Sequence, residues 1–261
     1  MRLEAGDAVV EVDPERGGRI TRIAYQDVEL LTDGGCFVMA PWAGRTGNGR
    51  FTFEGVEHEL PVKPNHAPHA IHGTVRDRPW VVERADPRVV HLSTELGPDW
   101  PWPGWCEQRL MLDADQLELE LSLHAPPGGE PYPATMGWHP WFTKPAAVDV
   151  LAVELLERGP DRLPTGRRLP PPLPVGTRPL DDCFEEIGWP VQLRWRNGVN
   201  VDVDATGCHW VVVYDEPDDA TCVEPQTGPP NGLVTGECAV VTPEEPLVAT
   251  MTIQWSVGPS R

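Results

Sequence analysis

Two imidazoles and one carboxylate stand among rigid or small neighbours at widely separated points of the chain. They are His72 in Ala70-Ile71-His72-Gly73, His139 in Gly137-Trp138-His139-Pro140, and Glu224 in Val223-Glu224-Pro225-Gln226-Thr227. Histidine titrates near neutral pH and burial can tune a glutamate toward it, so the set suits proton transfer on a neutral substrate. Trp138, Pro140, Trp141 and Phe142 would desolvate the His139 ring, lower its pKa and offer aromatic faces to a ligand. A core histidine in an aromatic cluster has the same neighbours, and a structural ion pair of Glu224 with Arg45 or Arg50 would account for the carboxylate. Only the combination of the three points to an acid-base enzyme.

His66, His69 and His72 are spaced by three, which raises a metal site because imidazole is a common zinc ligand. On a strand that spacing alternates faces, and no fourth ligand is apparent, so no metal is expected. Six cysteines, at positions 36, 106, 183, 208, 222 and 238, form no Cys-x-x-Cys pair and read as free, mostly buried thiols. Eleven Trp against three Tyr is an unusual balance; indoles stack on the C–H faces of sugars, although most of these belong to a core.

Period-two patterning supplies the elements that must position these groups. Leu117, Leu119, Leu121 and Leu123 interleave with Glu118, Glu120 and Ser122, which predicts a half-buried strand. Leu247, Ala249, Met251, Ile253, Trp255 and Val257 repeat the pattern in the last strand. Further strands are expected over residues 7–12, 19–25, 50–59, 79–84, 88–95, 107–112, 148–156, 191–196 and 209–214. No segment keeps a helical period over several turns, so the fold is expected to be all-β and antiparallel, as a large sandwich or open barrel with very little helix. Seven prolines between Gly159 and Leu180, with the pair Arg167-Arg168, predict a long extended surface loop.

At 261 residues the chain can bury a large core, and a single domain over residues 1–261 is expected. The 31 Pro and 25 Gly are spread along it, which punctuates many short elements. With 21 basic against 40 acidic residues the formal charge is −19, which opposes nucleic acid and anionic membrane as partners and favours a small ligand. The N-terminus lacks the apolar core of a signal peptide and no stretch is long enough to cross a bilayer, so a cytoplasmic protein is expected.

An ordered set of segments then becomes specific: Trp42-Ala43-Gly44-Arg45, Arg50-Phe51-Thr52-Phe53-Glu54-Gly55, Ile71-His72-Gly73, Gly137-Trp138-His139-Pro140-Trp141-Phe142, Leu180-Asp181-Asp182-Cys183-Phe184 and Glu224-Pro225-Gln226-Thr227. Together they resemble the aldose 1-epimerase (galactose mutarotase) family over about residues 40–231. The resemblance implies a β-supersandwich and an isomerase that interconverts the α and β anomers of an aldose such as glucose or galactose without a cofactor. It implies Glu224 as general base on the anomeric hydroxyl, His139 as general acid on the ring oxygen, and His72 as a second histidine near that oxygen. Arg45 and Asp181 resemble ligands of the sugar hydroxyls, and Trp138 and Gln226, within the same motifs, are further substrate-binding candidates. The chain departs from the family pattern at Gly44, where an Asn usually stands, and at Thr74, where a second Gly is common. Two other functions fit the same residues. A hexose-6-phosphate 1-epimerase of this fold could meet a phosphate with Arg45, Arg50, Arg76 or Arg78, and a non-catalytic sugar-binding module would keep the tryptophans without proton-transfer groups.

Overall fold

The leucine alternation decides one layer. In a computed structural model, which describes residues 1–171 and 179–258, Gln116–His124 is a strand whose Leu117, Leu119, Leu121 and Leu123 are fully buried. Trp105–Leu112 flanks it on one side, with Leu110 opposite Leu119. Leu247–Val257 flanks it on the other, with Met251 opposite Leu119 and Ile253 opposite Leu117. The layer runs on through Val89–Glu95 to Val81–Ala85 at one edge, and through Val199–Thr206 to the C-terminal half of Asp181–Arg194 at the other.

Asp181–Arg194 belongs to two layers. Its residues 191–194 pair with Val199–Thr206, and its residues 181–185 pair with Trp210–Tyr214. From there the second layer continues through Ala220–Gln226, Gly137–Thr143, Leu31–Met39, Arg19–Tyr25, Ala8–Asp13 and Arg2–Ala5. Ala147–Arg158 lies along the shared strand and carries Pro164–Leu169 on its other side. Every one of these ladders is antiparallel, and among the described residues the only α-helix is the four-residue Gly232–Thr235. The all-β antiparallel sandwich expected from the patterning is the fold observed. No described helix is long and apolar enough to cross a membrane.

Several boundaries differ from expectation. Residues 50–59 form a separate hairpin of Arg50–Phe53 with Val56–Glu59, outside the main sheet. The Pro-rich stretch expected as a loop contains the strand Pro164–Leu169, whose Leu169 and Arg168 face Leu155 and Leu156, while residues 172–178 of that stretch lie outside the described ones. Gly137–Thr143 and Ala220–Gln226 carry His139 and Glu224 without an apolar-polar alternation, because both strands are buried on nearly every residue. Such strands read as continuous runs rather than as period two.

The layers are joined by a buried polar bridge as well as by apolar contact. The indole N–H of Trp138 donates to Gln108 Oε1 at 3.1 Å, and Gln108 Nε2 donates to the Gly18 carbonyl at 3.0 Å. Each polar atom of that amide side chain therefore has a partner in a region that excludes water, where an unmade hydrogen bond is costly. Trp138→Phe is expected to lower stability by about 1–3 kcal/mol, since Gln108 Oε1 loses its donor and a gap opens beside the smaller ring. The urea midpoint of the purified variant measures it.

Candidate active site

Alternation along the central strands of the second layer sorts their residues into two sets. Trp138, Phe142 and Val223 enter the core between the layers. His139, Trp141, Cys222, Glu224 and Gln226 stand on the opposite face. The ladder sets Gly137 opposite Gln226 and Trp141 opposite Cys222, so His139 falls opposite Glu224. Phe37 lies across from His139 on the other neighbour, Val212 across from Glu224, and Cys183 across from Val212. One row of a sheet thus runs Phe37, His139, Glu224, Val212, Cys183.

Loops from elsewhere wall this row in. Arg45–Thr46 pairs with Ala70–Ile71, which sets Arg45 opposite Ile71 and carries His72 over the floor. His72 adopts a left-handed φ of 58°, Gly73 follows at 70°, and the His72 N–H donates to the Gly44 carbonyl at 3.0 Å. A β-carbon on Gly73 would stand 1.8 Å from the Ala40 carbonyl oxygen, so the turn that presents His72 requires glycine there. Gly44 has φ 64°, and a β-carbon on it would come within 3.0 Å of Pro230. Thr74 bonds its hydroxyl to the Leu96 carbonyl at 2.7 Å and so ties the turn down. Both departures from the family pattern are explained by local packing.

The resulting cavity, about 270 Å³, is lined by Arg45, His72, His139, Asp181, Glu224 and Gln226, together with Trp141, Tyr214, His66 and Arg162. That volume lies near the lower end of small-molecule sites. His139 Nε2 and Glu224 Oε1 are 3.2 Å apart, with both side chains almost completely buried. Gln226 Nε2 donates to the other oxygen of Glu224 at 3.3 Å. Phe37 and Trp141 both stack against the His139 ring, at centroid distances of 4.5 and 5.3 Å, and the His72 ring meets it edge-on at 5.1 Å. Nδ1 of both histidines and Oε1 of Gln226 are buried without a hydrogen-bond partner in the protein, an uncommon state for buried polar atoms.

Burial drives the electrostatics of the pair. It raises the Glu224 carboxyl above its ordinary range, opposed by the Gln226 hydrogen bond and the charge of Arg45. It lowers the His139 imidazolium well below the usual histidine value, helped by Arg76 and Arg19, whose guanidinium carbons lie 5.2 and 5.0 Å from the centre of the Phe37 ring. His72 is lowered too, by burial first and then by His139. Near neutral pH the contacting pair therefore holds one proton between two groups. Such a pair can accept a proton at one atom while donating one at the next.

Of the residues singled out in the sequence, His72, His139, Glu224, Arg45, Asp181 and Gln226 converge on this cavity. Trp138 does not: it is fully buried in the core behind the site, because it is one residue out of phase with His139. Its place as the aromatic wall is taken by Trp141, in phase at i+2. Asp181 faces the cavity but is ion-paired with Arg158. Arg50 is not the partner of Glu224; it is exposed and pairs with Glu57 and Glu59. His69 does not join His72. Its Nδ1 accepts from the Asn48 N–H at 3.1 Å and its Nε2 donates to the Asp161 carbonyl at 3.1 Å, so both ring nitrogens have a structural use. Tyr214 and Arg162 line the cavity without having been expected there; Tyr214 shares the strand face of Val212, while Arg162 is brought in by a turn at the start of the Pro-rich stretch, whose placement against the cavity no local pattern marks. Cys222, with His139 and Glu224, offers a ligand atom within 4.8 Å of theirs, but burial holds its thiol protonated.

The sequence profile of the aldose 1-epimerase family matches residues 2–243. The chain belongs to the aldose 1-epimerase family. Two Escherichia coli K12 relatives of this epimerase-family chain are uncharacterized proteins. YphB is 24% identical over 255 residues, covering 86% of this chain and 85% of YphB. YihR is 27% identical over 109 residues, covering 41% of this chain and only 35% of YihR. A crystal structure of a candidate aldose 1-epimerase from Escherichia coli K12 superposes with a TM-score of 0.87 at 20% identity, covering 98% of each chain, and shows the same fold.

Gly73→Ala tests the turn beneath His72. The new methyl would collide with backbone at a positive φ, so the variant is expected to be destabilised by at least about 1–3 kcal/mol. Thermal unfolding beside the parent protein reads this directly.

Proposed function

We propose that the protein is an aldose 1-epimerase that interconverts the α and β anomers of an aldose by opening and reclosing its ring. The observation that carries this reading is the 3.2 Å contact between His139 Nε2 and Glu224 Oε1, both buried and both lining the cavity. The anomeric hydroxyl and the ring oxygen of a pyranose are both bonded to C1, so the group that deprotonates one and the group that protonates the other must be close neighbours. Glu224 as carboxylate takes the proton of the anomeric O–H while His139 as imidazolium gives one to the ring oxygen, and the C1–ring oxygen bond breaks to leave an aldehyde. Rotation about C1–C2 and closure on the other carbonyl face, with the two proton transfers reversed, yields the second anomer. Both groups end as they began, with one proton between them, and substrate oxygens hydrogen-bonded to each group favour the charge-separated arrangement over the neutral one. His72 and Arg45 contribute hydrogen bonds that orient the sugar, and Trp141 supplies an apolar face.

A sugar-binding module without catalysis has no use for a buried proton-sharing pair, whose desolvation costs stability. Polarimetry on freshly dissolved α-anomers separates the two readings. The protein is expected to accelerate mutarotation above the solvent rate, and Glu224→Gln to reduce that acceleration on the order of 10²-fold or more, the scale of a general base. An intact, folded protein that leaves the solvent rate unchanged would refute the enzyme.

The pH profile follows from the same shifts. Activity needs the pair with one proton: raising the pH removes it through the raised carboxyl, near about 8, and lowering the pH adds a second only below the depressed imidazole value. Solvent-corrected kcat/KM is therefore expected to be flat across about pH 6.5, where an ordinary histidine would give an inflection.

A further inference from the structure

Burial grades the cavity from floor to mouth. Glu224 and His139 are 4% and 5% exposed, Arg45 and His66 are half-buried higher up, and Arg162 is exposed at the rim. A sugar whose C1 lies on the pair and whose far end points toward the mouth meets these cations. Although acidic residues outnumber basic ones by 40 to 21, among the described residues neither Arg45 nor Arg162 has a carboxylate at ion-pair distance. Arg158 beside them is already taken by Asp181, with Glu216 at 3.9 Å. Burial and the charges of Arg162 and Arg158 lower the pKa of Arg45, with Glu224 and Tyr214 opposing them, so the guanidinium carries a net unfavourable surrounding that an added anion would relieve.

The turn that carries Arg162 is built, not loose. The Gly159 N–H donates to the Leu163 carbonyl at 2.8 Å, the Arg162 N–H to the Gly159 carbonyl at 3.0 Å, and the Leu163 N–H to Asp161 Oδ1 at 3.2 Å. The Asp161 carbonyl is in turn held by His69 Nε2, which ties the turn to the segment that leads into His72. Arg162 itself takes a left-handed φ of 66° within it.

We propose, on the basis of the epimerase reading, that the aldose taken here carries an anionic group at the end remote from its anomeric carbon, held between Arg45 and Arg162. Two guanidinium forks match a carboxylate, sulfate or phosphate with charge-assisted hydrogen bonds, whereas hydroxyls alone would leave both arginines without an anionic partner. The test compares anomerisation of glucose, glucuronate, glucose 6-sulfate and glucose 6-phosphate by the full chain. At least one anionic sugar is expected to exceed glucose in kcat/KM by on the order of tenfold or more, and the best of the three names the group. Arg162→Gln should reduce that preference, the ratio of the two kcat/KM values, by at least about tenfold, and Arg162→Lys should retain most of it. Glucose turned over as well as every anionic sugar, or a preference untouched by Arg162→Gln, overturns the anionic substrate while leaving the epimerase standing. If no sugar is anomerised, the epimerase reading fails and the proposal with it.

Discussion

The contact between a buried imidazole and a buried carboxyl is the constraint that the rest of the site depends on. Two ionisable groups can be held this deep only if their net charge is small, and sharing one proton keeps it so. The surroundings support that state from both sides. Burial and the two arginines against Phe37 keep His139 from charging, while burial overrides Arg45 and Gln226 in keeping Glu224 protonated. Sheet geometry then fixes the distance. Cross-strand neighbours on one face lie a few ångström apart, so the register that sets Gly137 against Gln226 also sets His139 against Glu224. A slip of one residue would exchange them for Trp138 and Val223 and bury the chemistry in the core.

Much of this was legible in the residues, and what was not has a physical cause. Half-buried strands such as Gln116–His124 and Leu247–Val257 announce themselves because one face is apolar and the other polar. The strands that carry His139 and Glu224 are buried on both faces, so their alternation is not apolar against polar but core against cavity, which hydropathy cannot see. The same blindness explains Trp138. Hydropathy ranks Trp138 and Trp141 alike, and only strand phase tells which indole stacks on His139 and which bonds to Gln108 in the core. Arg162 lay beyond reach for a different reason: its position depends on a turn closed by His69, a residue distant in sequence.

The histidine triplet illustrates how one spacing can serve three tasks. His72 hangs over the floor, His69 spends both ring nitrogens on backbone groups of two loops, and His66 sits on the rim with its pKa lowered by burial and by Arg45. A metal would need the three to converge, and the backbone turns that separate them also build the cavity wall. Residues that looked like a ligand set are instead a wall, a clamp and an edge.

The division of labour between strands and loops follows from rigidity. His139 and Glu224 sit on central strands hydrogen-bonded on both sides, where Phe37 and Trp141 further restrict the imidazole, which suits the proposed proton transfer because it would tolerate little displacement. Arg45, His66 and Arg162, which line the cavity farther from the pair, come from short segments and a turn outside the main sheet. On the proposed reading, a change in those segments would alter which aldose enters without disturbing the distance between His139 and Glu224. That separation is compatible with a fold kept at 20% identity, since a fold by itself does not set what its loops surround.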